Sequence, residues 1–158
     1  VPLGLGIKVK QGSHLLTWAG IFVFFFGFIH LLMPFFGPGS YAWLSANARM
    51  VNLSNHGSYL PALSAVITAV LYITWSFYAY AGAGKYKEMP KMHIVLPVVG
   101  LYFLISGLRF LSMLYQYIAG ANLLVFNYFM VAFAEFAIGV FYLAGFIHYR
   151  ARTRGRQP

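Results

Sequence analysis

Leu123–Ile147, LLVFNYFMVAFAEFAIGVFYLAGFI, runs for 25 residues with a single charged side chain, Glu135, and no proline. At 1.5 Å per residue a helix of that length reaches about 37 Å, more than the roughly 30 Å hydrocarbon core of a bilayer. A chain segment in lipid must satisfy its own backbone hydrogen bonds, so the run reads as a spanning α-helix. Three further apolar stretches of similar length precede it: Leu15–Phe36, Tyr59–Ala81 and Ile94–Leu114. The expected architecture is therefore all-α: a polytopic integral membrane protein, a four-transmembrane-helix up-down bundle forming one domain over residues 1–158. Pro61 falls in the first turn of the second segment, where its missing N–H is harmless, and Pro97 is placed to bend the start of the third.

Composition agrees with that reading. Of 158 residues, 61% are hydrophobic, 20% aromatic and only 8% charged, whereas a soluble domain carries about a quarter of its residues charged. Cysteine is absent, which excludes disulfides, thiolate catalysis, iron–sulfur clusters and cysteine-ligated zinc. Aspartate is absent too, and the acids are Glu88 and Glu135 alone. Catalytic carboxylate dyads and multi-carboxylate magnesium or calcium cages cannot be assembled from them. The Walker, H-E-x-x-H and G-x-S-x-G patterns are missing, so an independent hydrolytic enzyme is not expected.

The net charge of +9 would point to nucleic acid in a soluble protein. Here the cations flank apolar runs, so anionic headgroups and topology account for them, and no nucleic-acid partner is expected. Lys8, Lys10, Lys85, Lys87, Lys91, Arg150, Arg152, Arg154 and Arg156 fall on one side of the membrane, and Arg49 on the other. By the positive-inside rule both termini are cytoplasmic, as they would be in a bacterial inner membrane or another cellular membrane. The first segment is too long for a signal-peptide core and lacks a small-residue cleavage pattern, so it reads as a retained helix. Residues 37–58 form an outer loop in which Tyr41 and Trp43 suit the interface. It also holds Asn52-Leu53-Ser54, a common triplet that matters only in a glycosylating compartment. Residues 148–158 read as a basic C-terminal tail, disordered and facing lipid headgroups. Phe24–Phe26 and the aromatic excess generally read as lipid-facing packing.

Two charges lie inside spans, Arg109 and Glu135. Depth arithmetic puts Glu135 near the midplane and Arg109 about 6–8 Å outward of it, within reach of an ion pair, since either charge alone in lipid costs several kcal/mol. Tyr102, Ser106, Arg109, Met113 and Gln116 recur at helical steps on the third segment, and Tyr128, Glu135, Tyr142 and Tyr149 repeat every seven residues on the fourth. Both stripes read as inward faces. Gly20, Gly27 and Gly139 are placed to let neighbouring backbones approach. His30 falls about 7 Å outward of the centre, at the depth of Arg109. The sharper expectation is a His30–Arg109–Glu135 cluster in the outer half, reached through Ser106, Asn127 or Tyr128, that takes an anionic or quinone-like headgroup or relays protons. The plainer one is an ion pair that fixes helix register. His30 and His56 both approach the outer face and are the candidate haem ligands. His14, His93 and His148 fall at helix ends, where headgroup contact is the simpler role.

Ser106-Gly107-Leu108-Arg109, a short turn, and then Glu135 four residues before Gly139 resemble the small four-helix membrane proteins of the DoxX-like group. The resemblance lies mainly in the second half of the chain and touches Gly107, Arg109, Glu135 and Gly139. It implies an up-down bundle acting as the membrane subunit of a larger system, quinone-linked oxidoreductases included. Three functions follow as expectations. The first is an accessory or scaffold subunit that meets other membrane subunits, or its own copies, by helix packing. The second is a redox-linked protein binding quinone or haem, and the third is a transporter or oligomeric channel using the Arg109–Glu135 pair.

Overall fold

A computed structural model describes the backbone of residues 2–36, 60–120 and 123–155, with side chains described for 14–32, 63, 65–112, 114–116, 118–120 and 129–155. All regular structure among the described residues is helical: α1 (Pro2–Phe36), α2 (Leu60–Gly82), α3 (Met92–Gly107), α4 (Arg109–Ile118) and α5 (Leu123–Arg154). Four stretches are long and apolar enough to cross a membrane: His14–Leu32, Ala65–Gly82, Met92–Gln116 and Phe129–Arg154. The expected outer loop, with Tyr41, Trp43, Arg49, the Asn52 triplet and His56, lies outside the described residues.

Three boundaries differ from the sequence reading. α1 extends back to Pro2: proline suits a first turn, Lys8 and Lys10 are good helix formers, and Gly4, Gly6 and Gly12 weaken the run without ending it. The segment expected as the disordered tail is helical as far as Arg154. Arginines in the last turn suit the negative end of the helix dipole, and Arg152 Nη2 donates 3.1 Å to the carbonyl of Gly82, stitching this end of α5 to the end of α2. The third span is interrupted at Leu108 and continues as α4 to Ile118, past the expected turn at Tyr115. The interruption has a local cause: the Ser106 carbonyl accepts from Arg109 Nε at 2.7 Å, a side chain intruding on the helical ladder. The chain tightens there, and Leu111 N–H donates to the Leu108 carbonyl in an i to i+3 bond of 3.2 Å.

α1 lies along α2 and α5, and α3 lies along α5, whereas α2 and α3 touch only sparsely. Small residues permit the close pairs. A side chain at Gly27 would meet the Ala69 carbonyl and the Ile73 N–H at 3.1 Å, so α1 and α2 approach at backbone distance. Leu16, Ala19 and Val23 of α1, Leu96, Val99 and Phe103 of α3, and Ile138 and Tyr142 of α5 form the core. Of the phenylalanine triplet, Phe24 and Phe25 are exposed on the bundle exterior, while Phe26 packs against the core.

Aromatic packing here is internal as well as external. Tyr142 is fully buried, stacks on Phe103 at 6.2 Å between centroids, and donates its hydroxyl to the Trp75 carbonyl at 2.8 Å. That bond joins α5 to α2 across the bundle. Tyr142→Phe keeps the ring and removes the bond, and the expected loss is about 1 kcal/mol, read as a lower midpoint in detergent-solubilised thermal unfolding.

Candidate functional site

The polar centre is built where α3 and α4 cross α5. A side chain at Gly107 would strike the Phe136 backbone, lying 2.6 Å from Phe136 Cβ, and one at Gly139 would lie 2.7 Å from Leu104 Cα and 2.9 Å from the Gly100 carbonyl oxygen. Real Cβ atoms do not tolerate such distances, so only glycine fits at either place. The crossing sets Arg109 opposite Glu135. Arg109 Nη2 donates to Glu135 Oε2 at 2.7 Å, and Ser106 Oγ donates to the same oxygen at 3.0 Å. Arg109 thus spends one nitrogen on its own helix at Ser106 and another on α5. The carboxylate side chain is 8% exposed and the guanidinium 29%. Held by two donors in a low-dielectric setting, the negative charge is compensated where it sits.

The four residues of the Gly-x-Arg and Glu-x-x-x-Gly segments therefore form one mechanical unit. The glycines set the helix separation, and the charges bridge what the glycines bring together.

His30 is buried but does not touch that pair directly. Its Nδ1 lies 2.6 Å from the Phe26 carbonyl. A carbonyl only accepts, so Nδ1 carries the proton. The ring meets Tyr72 edge-on at 5.3 Å. Tyr72 is buried on α2 beside Phe103 and Trp75, its hydroxyl interacts with that of Tyr102, and it lies within electrostatic reach of both Arg109 and Glu135. The expected cluster is thus two groups, His30 on one side and Ser106–Arg109–Glu135 on the other, with Tyr72 between them.

The sequence reading does not single out Tyr72, although a signal for it exists. Ala65, Ala69, Tyr72, Ser76 and Ala79 are all buried on one face of α2, and Tyr72 is the one large member of an otherwise small-residue stripe. Asn127, Tyr128 and His56 have no described side chains. His14 and His93 are exposed and His148 is half-buried. Among the described residues, no three histidine or carboxylate side chains converge as they would to hold a metal ion.

No protein-family model, no curated protein and no solved structure matches this chain.

Proposed function

We propose that this chain is a multi-pass membrane protein, an up-down bundle with both termini in the cytoplasm, acting as an accessory or scaffold subunit through helix packing. The observation that carries this reading is the face of α4. Beyond the break at Leu108, α4 packs on α5, and Ser112 and Gln116 are exposed on it, one and two turns beyond the 29%-exposed Arg109. A polar stripe on a spanning helix is disfavoured against lipid tails, and a hydrogen-bonding neighbour helix relieves it. Leu111, Tyr115 and Ile118, also exposed, supply apolar contact beside the stripe. The resemblance to the DoxX-like group points the same way, toward a subunit of a larger membrane system.

The quinone, haem and transport readings draw less from the geometry. Glu135 Oε2 already accepts two hydrogen bonds, and the His30 imidazole is engaged by its own helix and by Tyr72.

Native mass spectrometry from mild detergent tests the proposal. The wild-type chain is expected to retain a second copy or another membrane subunit. Ser112→Leu/Gln116→Leu is expected to release it with little change in the thermal midpoint, because both side chains lie on the exterior. A wild-type chain that leaves the membrane as a bare monomer would overturn the reading. Topology is checked separately. Because the sequence contains no cysteine, Lys87→Cys gives a unique thiol, which an impermeant maleimide is expected to label only after lysis.

A further inference from the structure

α2 and α3 touch only sparsely, and between them lies a groove of about 260 Å³ lined by Trp75, Ile94, Val95, Val98, Val99 and Tyr102. The lining is almost wholly hydrocarbon and aromatic. Ile94, Val98 and Tyr102 follow one another at four-residue steps along α3, so the groove runs lengthwise along the helix. One end is closed by Trp75 and Tyr102, whose rings meet at 5.2 Å. The other end opens at the first turn of α3, beside the loop where Tyr78 donates its hydroxyl to the Pro90 carbonyl at 3.1 Å.

Charge at that open end is one-sided. Lys91 immediately precedes α3, in a left-handed backbone conformation at the helix start and three positions from the groove residue Ile94, and the same loop carries exposed Lys85 and Lys87. The loop's acid, Glu88, interacts instead with Tyr149 of α5. An apolar slot running into the membrane beneath a cluster of lysines is complementary to one kind of molecule, an amphiphile with an anionic head and an extended tail.

We propose that the α2–α3 groove is a binding site for an anionic phospholipid of the cytoplasmic leaflet. One acyl chain lies along Ile94, Val98 and Tyr102, and the phosphate lies among Lys85, Lys87 and Lys91. The leaflet rests on the topology proposed above; the groove and its lysines do not. The lipid fills a seam that the helices leave underpacked and ties the Lys85–Lys91 loop to the membrane surface.

The test is native mass spectrometry of the full chain in detergent with added phosphatidylglycerol or phosphatidylcholine at equal concentration. Wild type is expected to retain phosphatidylglycerol preferentially. Lys87→Gln/Lys91→Gln is expected to weaken that retention on the order of 20-fold, about five-fold for each lysine near a headgroup. Val98→Trp, which fills the groove, is expected to abolish retention, while Leu101→Trp, on an exposed face outside the groove, is expected to leave it intact. The Leu101 variant also shows that a tryptophan on α3 permits folding. Equal retention by the Val98→Trp and Leu101→Trp proteins overturns the groove, and equal retention of the two lipids overturns the role of the lysines. Labelling of Lys87→Cys from outside intact cells overturns the cytoplasmic leaflet and the topology together, while the two lipid comparisons still decide whether the site exists.

Discussion

Gly139→Ala is expected to lower the stability of the bundle by about 3 kcal/mol, at the upper end of what a forced methyl costs in a packed interior. The new Cβ would lie 2.7 Å from Leu104 Cα and 2.9 Å from the Gly100 carbonyl oxygen. Backbone atoms cannot step aside as a flexible side chain can, so α3 and α5 must separate. Separation also lengthens the 2.7 Å Arg109–Glu135 contact, so the damage is not confined to packing. Gly107→Ala meets the Phe136 backbone from the other side of the same crossing and is expected to behave likewise. Gly155→Ala is the matched control, since its Cβ would find only ordinary contacts at 3.7 Å and beyond. Thermal or denaturant unfolding in a fixed detergent ranks the three. A Gly139→Ala midpoint equal to that of Gly155→Ala would show that the helices are not held at this distance.

The second large effect concerns the charges themselves. Arg109→Leu leaves Glu135, with its side chain 8% exposed, without its cation, and the expected loss is about 3–5 kcal/mol, the usual consequence of breaking one side of a buried pair. The double replacement Arg109→Leu/Glu135→Leu removes both charges and is expected to recover most of that loss, because two apolar groups of similar size often substitute well for a buried ion pair. Equal destabilisation in the single and double variants would mean that Arg109 acts through its bond to the Ser106 carbonyl and not through Glu135. The bond to Ser106 makes this a real alternative, since Arg109→Leu also frees the carbonyl at which the helix is interrupted.

Much of the architecture could be read from residue type alone, because in lipid few choices remain. A run such as Leu123–Ile147 has to be a helix. The same economy made Arg109 and Glu135 conspicuous, and depth along the helices was sufficient to place them within reach of each other. What escaped the sequence was what depends on side chains competing for backbone groups. The break at Leu108 has no proline to announce it and arises because Arg109 takes the Ser106 carbonyl. The helical course of Arg150–Arg154 is accompanied by a hydrogen bond from Arg152 to Gly82, seventy positions away, that no local pattern records. Tyr72 is missed because, outside the stripes of the third and fourth segments, the aromatic excess reads as lipid-facing. Its place among Ala65, Ala69, Ser76 and Ala79 shows that a single large residue in a small-residue stripe fills a space that its neighbours leave.

The lengths of α1 and α5 have a further consequence. At 35 and 32 residues they measure about 52 and 48 Å, against a hydrocarbon layer of roughly 30 Å. The apolar stretch of α1 begins at His14, and in α5 the apolar run from Leu123 ends at Ile147, ahead of Arg150, Arg152 and Arg154, so the surplus lies at the basic ends, before His14 and toward Arg154. In the proposed orientation both surpluses point to the same side, where they would carry Lys8 and Lys10 of α1 and Arg150, Arg152 and Arg154 of α5 beyond the hydrocarbon layer. α5 carries Glu135 and the α2-binding Arg152 on one continuous helix, so no loop separates the basic end from the buried charged centre.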